Sequence, residues 1–360
     1  MAFDLKRLLT GVFETQPGET VVVACDMPHD AITDHASWRE RREMAAEWRT
    51  AFEELGQKQG FTTLPLLEYP ATGAHGADLP AKGTLGGKPV EIEATLLKST
   101  LAVFITQYSA TAPLDGFCLR KEDLRAASLP GLEKRMEESA LDADYREVAR
   151  RCHILDDAMR DADHLVAKFS TGETCTFDLR YRRPEVDDGY LPRFKGGDRV
   201  INLPSGETFM VPYEGERPGE PSRTAGKLPV SINGEHVVLE VEQNRIVRIS
   251  GDGPEAAKIR EMYAVDPARR NIAEVAFGCN DRAVVTGNVL EDEKAGFHWA
   301  YGRSDHLGGT VGVSAFLRPE NVVHQDTVYA KGNPIQVMEA TVTGPRGPIT
   351  VIRNGAYIVF

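Results

Sequence analysis

Up to about residue 165, short β-branched apolar runs alternate with long amphipathic stretches, and this order leaves few folds open to the chain. "ETVVVACD" reads as a strand. It is followed by "HASWRERREMAAEWRTAFEELGQKQG", whose apolar residues recur at helical spacing, with Gly56 and Gly60 near its end. "FTTLPLLEYP" and "TLAVFITQYS" read as further strands, and "LDADYREVARRCHILDDAMRDAD" as a second amphipathic helix. Strands separated by helices predict an α/β domain with a parallel, doubly wound sheet over residues 1–164. No G-x-G-x-x-G or G-x-x-x-x-G-K-[ST] accompanies it, so the fold hint brings no nucleotide.

Beyond that point the texture changes. "HLVAKFSTGETCTFDLRYR", "LPVSINGEHVVLEVEQNRIVRIS" and "TVTGPRGPITVIRNGAYIVF" are short strands joined by turns such as "INGE" and "RNGA". One helix, "GPEAAKIREMYAVDPARRN", interrupts them; its approach "SGDGPEAA" looks like a phosphate loop, but a turn with Pro near a helix start explains it better. Residues 165–360 are therefore expected to form a β-rich α+β domain. A length of 360 residues accommodates two domains.

Composition excludes some partners. The formal charge of −12 argues against nucleic acid or an anionic membrane, both of which are met by Lys/Arg surfaces. The N-terminal stretch is too polar for a signal peptide, and no apolar window approaches the roughly 20 residues of a membrane span. Five scattered cysteines without a C-x-x-C pair fit reduced thiols in a cytoplasm.

The candidate chemistry lies in the second half. In "NVVHQDTVYA", His324 and Asp326 stand two apart in a strand-like run, so both project to one face. Burying them without partners is expensive, which leaves solvent, a hydrogen-bond network or a metal to receive them. Glu207 in "NLPSGETFMVP", Glu274 in "NIAEVAFGCN" and His298 in "EDEKAGFHWAYG" are likewise set among apolar or aromatic neighbours. Three carboxylates and two imidazoles suit divalent Zn, Co, Mn or Mg. Two such ions can share one carboxylate, polarise a carbonyl and lower the pKa of an attacking water. A buried His–Asp hydrogen-bonded pair is the plainer reading of "HQD" alone.

Taken in order, "LPSGETFMVP", "AEVAFGCN", "HWAYG", "HQD" and the closing "VIRNGAY" resemble the thermophilic metalloaminopeptidases of the aminopeptidase T and aminopeptidase S type. The resemblance covers about the last 195 residues well and the first half in outline. It implies that Glu207, Glu274, His298, His324 and Asp326 hold two divalent ions, with Glu274 bridging them. It also implies removal of the N-terminal residue of a small peptide, and a homodimer whose N-terminal domain helps close the cavity. Two departures stand out. Ala273 replaces the family's usual Gly, and Asp305 occupies the position seven residues after His298 where the family carries Tyr. Glu207, Tyr301, Asp305 and a metal-bound water are the candidates for the general acid, although Tyr301 on a strand would face away from His298. His306 reads as an exposed loop histidine or a substrate hydrogen bonder.

A second implication comes from the ring-cleaving dihydroxypyridine dioxygenases, which resemble the same family. They hold one ferrous ion by two His and a carboxylate, a set that His298, or another histidine, with His324 and Asp326 could supply. Intact Glu207 and Glu274 favour two ions and the peptidase. A relative dedicated to modifying a single peptide is a third class. In the first half, "ACDMPHDAITDH" gathers Cys25, Asp26, His29, Asp30, Asp34 and His35 after the first strand, and reads as a solvated strand-to-helix loop.

Overall fold

The computed structural model describes residues 3–29 and 31–360. The chain is a mixed α/β protein with one largely parallel sheet and two further sheets of antiparallel character. It divides into two compact units: Met1–Ala149 with Asp187–Gly206 and Asn280–Lys294, and Arg150–Val186 with Glu207–Cys279 and Ala295–Phe360. The chain thus returns twice to the first unit. A single boundary after residue 164 has no way to express those returns.

In the first unit, β1 (Thr20–Met27) lies between β2 (Leu67–Pro70) and β3 (Leu101–Thr106), and β4 (Arg125–Pro130) follows β3, all parallel. The order reverses at β1, as in a doubly wound sheet. The expected parallel core is present, and an antiparallel hairpin, Lys82–Leu85 with Lys88–Glu91, extends its edge. Helix α1 (Ala36–Gln59) begins at His35, whose ring accepts the Trp38 amide, and ends at Gly60 with φ 82°. The loop after β1 is explained by local bonds. Asp26 accepts from Trp38 Nε1 and from the amides of Gln107 and Tyr108, and Asp34 pairs with Arg39 and Arg42. Asp30 lies outside the described residues.

The second unit carries the candidate site. Its central sheet contains β5 (Glu207–Met210), β6 (Ile272–Gly278), β7 (Gly296–Gly302) and β8 (His324–Ala330), antiparallel in that order. Alternate residues Phe297 and Tyr329 face an aromatic core with Phe177 and Phe169, contributed by strands of the larger antiparallel sheet. The opposite face is left for the polar residues. The "NG" turns form as the sequence requires, with Asn233 and Gly234 at φ 50° and 81°, and Asn354 and Gly355 at 52° and 76°. The phosphate-loop look of "SGDGPEAA" dissolves here: the amides of Glu255 and Ala256 at the start of α2 (Pro254–Ala264) already bond the Glu235 carboxylate. No helix of the described residues is long and apolar enough to cross a membrane.

Candidate metal centre

Five side chains meet on the polar face of the β5–β8 sheet because its registers align them. Glu274 of β6 and Asp326 of β8 both pair with Ala300 of β7, so the small Ala300 separates two carboxylates in one row. His298 lies one row away opposite Val328, and His324 pairs with Gly302. Positions 298, 300 and 302 share a face, and the H-x-A-x-G spacing gives one ligand and two residues small enough to leave room above them. A register irregularity between Ile272 and Glu274 interrupts the alternation, as bulges beside functional sites often do to re-aim a side chain. Glu207 opens β5 opposite Gly278, directly after Gly206 at φ 128°.

The five residues form two overlapping groups, Glu207–Glu274–His298 and Glu274–His324–Asp326, with each group's ligand atoms within 4.8 Å of one another. His298 Nε2 stands 3.1 Å from Glu207 Oε2 and 3.5 Å from Glu274 Oε1. His324 Nε2 stands 3.0 Å from Glu274 Oε2 and 3.9 Å from Asp326 Oδ1. The two oxygens of Glu274 are thus divided between the two histidines.

The donor set fits a divalent ion. His298 Nε2 and Asp326 Oδ1 are buried without a hydrogen-bond partner. Buried polar atoms are rarely left so, and ligand atoms aimed at a common point rather than at each other have this geometry. Each imidazole is oriented through its other nitrogen: His298 Nδ1–H donates to the Gly296 carbonyl at 3.1 Å, and His324 Nδ1–H to that of Arg303 at 2.7 Å. Carbonyl partners of this kind fix the tautomer that presents Nε2.

Electrostatics point the same way. Burial alone would raise the Glu274 pKa, but the close contacts and charge of His298 and His324 outweigh it and hold the carboxyl well below its usual range. Burial would lower His324, yet the Glu274 contact carries it up to about 9. His298 is likewise driven well above its ordinary value against burial, by Glu207 and Glu274. Burial, then the Glu274 charge, pushes Asp326 up to about 6. Both shifts favour the protonated imidazole in the metal-free chain, and a ligating imidazole has to give that proton up. Metal uptake at pH 7 is expected to liberate about two protons per chain. Calorimetry in buffers of different ionisation enthalpy measures this number, and uptake without proton release would mean that the histidines do not ligate.

The remaining expected residues separate. Tyr301 faces away from the ligands: its ring packs on Tyr263 at 4.8 Å and its hydroxyl meets Met262 Sδ at 3.2 Å. Asp305 lies on a half-exposed turn, its Oδ1 bonded to Arg303 Nε at 2.5 Å. His306 is an exposed loop histidine, and its ring lies edge-on to His324 at 5.0 Å and 85°. Burial, then the His324 and Arg303 charges, pushes its pKa down to about 4. The Gly296 and Arg303 carbonyls escaped sequence reading because a backbone oxygen leaves no residue-type signal.

No family model matches the sequence, and no curated protein matches it. Solved structures do. The 2,5-dihydroxypyridine dioxygenase from Pseudomonas putida KT2440 matches over 98% of this chain and 96% of its own, with a TM-score of 0.63 and 17% identity. Wild-type AmpT from Thermus thermophilus matches over 98% of both chains, with a TM-score of 0.53 and 15% identity. At such identities the likeness is one of fold. The chain is a remote fold relative of both.

Proposed function

We propose that the chain is a metal-dependent aminopeptidase that uses two divalent ions to hydrolyse the N-terminal peptide bond of a peptide. One observation carries the reading: Glu274 turns one oxygen toward His298 and the other toward His324, as a carboxylate shared between two ions must. The likeness to AmpT supports it at the level of fold. Glu207 and His298 complete one group, His324 and Asp326 the other. When bound, the ions supply Lewis-acid polarisation of the scissile carbonyl and an acidified water. The chain's part is to hold its ligands in place. The Gly296 and Arg303 carbonyls keep the two imidazoles turned toward the centre. His306, neutral at pH 7, offers a hydrogen bond to substrate beside His324.

The dioxygenase likeness, with the higher TM-score, supports a second reading in which His324, Asp326 and another histidine hold a single ferrous ion. Elemental analysis of protein purified without added metal separates the two. About two zinc, cobalt or manganese ions per chain, together with release of N-terminal residues from peptides with a free α-amine, is the expected result. About one iron per chain, lost in air, with oxygen consumption on dihydroxylated heteroaromatics, would replace the peptidase by the dioxygenase.

A further inference from the structure

Glu214 lies outside the ligand set, yet its side chain is only 4% exposed. Its Oε1 accepts from Asn271 Nδ2 at 2.8 Å and Ser304 Oγ at 2.5 Å. Its Oε2 accepts from the Thr310 amide at 2.5 Å and the Thr310 hydroxyl at 2.6 Å, with Arg182 Nη2 at 3.6 Å. Four donors on one buried carboxylate satisfy it completely, and three of them belong to a single loop, residues 303–311. That loop closes on itself around the same point. Ser304 N donates to the Val311 carbonyl, Val311 N to Ser304 Oγ, and Gly309 N to the Ser304 carbonyl. Asn271 ties the loop's base by donating from Nδ2 to the Gly302 carbonyl at 3.1 Å.

The loop delivers two groups to the metal centre. The Arg303 carbonyl, one residue before Ser304, orients His324 at 2.7 Å, and His306 lays its ring against that of His324. We propose that Glu214 is a positioning residue for the His324 half of the centre. It holds the 303–311 loop so that the Arg303 carbonyl fixes the His324 tautomer and His306 stays at the ligand's edge. This deepens the two-ion reading and rests on it. His298 takes its orienting bond from Gly296, which lies outside the loop, so the influence of Glu214 is one-sided.

A glutamine at this position keeps the shape but turns an N–H₂ toward donors on one side, and its neutral amide leaves Arg182 with Glu216 as its carboxylate partner. The test uses the full chain with Glu214→Gln and the milder Thr310→Val, titrated with cobalt(II) alone by calorimetry and visible absorption. Backbone hydrogen exchange of residues 303–311 and the ¹⁵N signature of the His324 tautomer are followed in parallel. In Glu214→Gln one cobalt step weakens by about 10- to 100-fold, the range for loss of an outer orienting partner, while the other stays within about twofold. Loop exchange accelerates by at least about tenfold, and Thr310→Val falls between it and the native protein. Equal weakening of both steps marks a merely structural residue and overturns the proposal, as does unchanged loop exchange. A native protein that binds one cobalt defeats the two-ion reading alone. Glu214 then stands or falls on loop exchange and the His324 tautomer, neither of which depends on peptide hydrolysis.

Discussion

Replacing Glu274 with glutamine is expected to remove both ions and all peptide hydrolysis together, the largest functional effect available from a single atom change. The substitution conserves shape and loses one negative charge in a row that holds Glu274 and Asp326 about a single alanine. Glu274 belongs to both ligand groups, so its loss damages both at once, whereas loss of Asp326 or Glu207 strikes only one. Its charge is also what holds His324 up at about 9 and contributes to the rise of His298. With an amide in its place, both imidazoles return toward ordinary values. The metal-free variant then takes up metal with fewer protons released, if it takes up any. Affinity is expected to fall more than about a hundredfold at each site, since even outer partners of a metal ligand are worth 10- to 100-fold. Ions per chain and turnover on an N-terminally free peptide are the measurements. His35→Ala is the control, because His35 caps a helix of the first unit; it should cost about 1 kcal/mol and leave metal content unchanged. Retention of both ions and of activity in Glu274→Gln would sink the bridging assignment.

The five candidate residues stand out in the sequence because each lies where solvation is scarce. A carboxylate in "NIAEVAFG" or an imidazole between Phe297 and Trp299 conflicts with the strand around it, and such conflicts tend to mark functional sites. The strand–helix alternation of the first half and the "NG" hairpins of the second were legible for the ordinary reasons of periodicity and positive φ. What the sequence hid depends on pairing between distant segments. The returns of Asp187–Gly206 and Asn280–Lys294 to the first unit are too short to carry a pattern of their own. Glu214 sits in "YEGERPGEP", which reads as a solvated loop, and only the fold places Ser304, Thr310 and Asn271 around it. His306 differs, since the sequence already offers it as an exposed loop histidine or a substrate hydrogen bonder, and the fold adds only that its ring lies edge-on to His324.

Gly302 ends the H-x-A-x-G motif, and substituting it by alanine is expected to be the most damaging methyl that can be added near the centre. Its φ is 103°, outside the range that side chains tolerate, and a Cβ there would stand 2.1 Å from the Val323 carbonyl oxygen. That oxygen belongs to the segment of the same chain just before β8, where Gly302 pairs with His324 and Arg303 N donates to the same carbonyl at 2.7 Å. Backbone cannot swing aside as a side chain does, so the methyl must push β8 off β7 at its ligand-bearing end. The backbone strain and the clash together are expected to cost on the order of 2–4 kcal/mol in denaturant unfolding. The displacement reaches function through His324, which loses its bond to Arg303 and its approach to Glu274. Cobalt uptake should therefore fall at the His324–Asp326 group first. Gly347→Ala separates strain from contact: its φ of 88° is similarly forbidden, but nothing lies within 4 Å of the added carbon. It should cost about 1–2 kcal/mol and leave both ions in place. If Gly302→Ala behaves like Gly347→Ala, the close approach of the two strands is not what the motif's glycine is for.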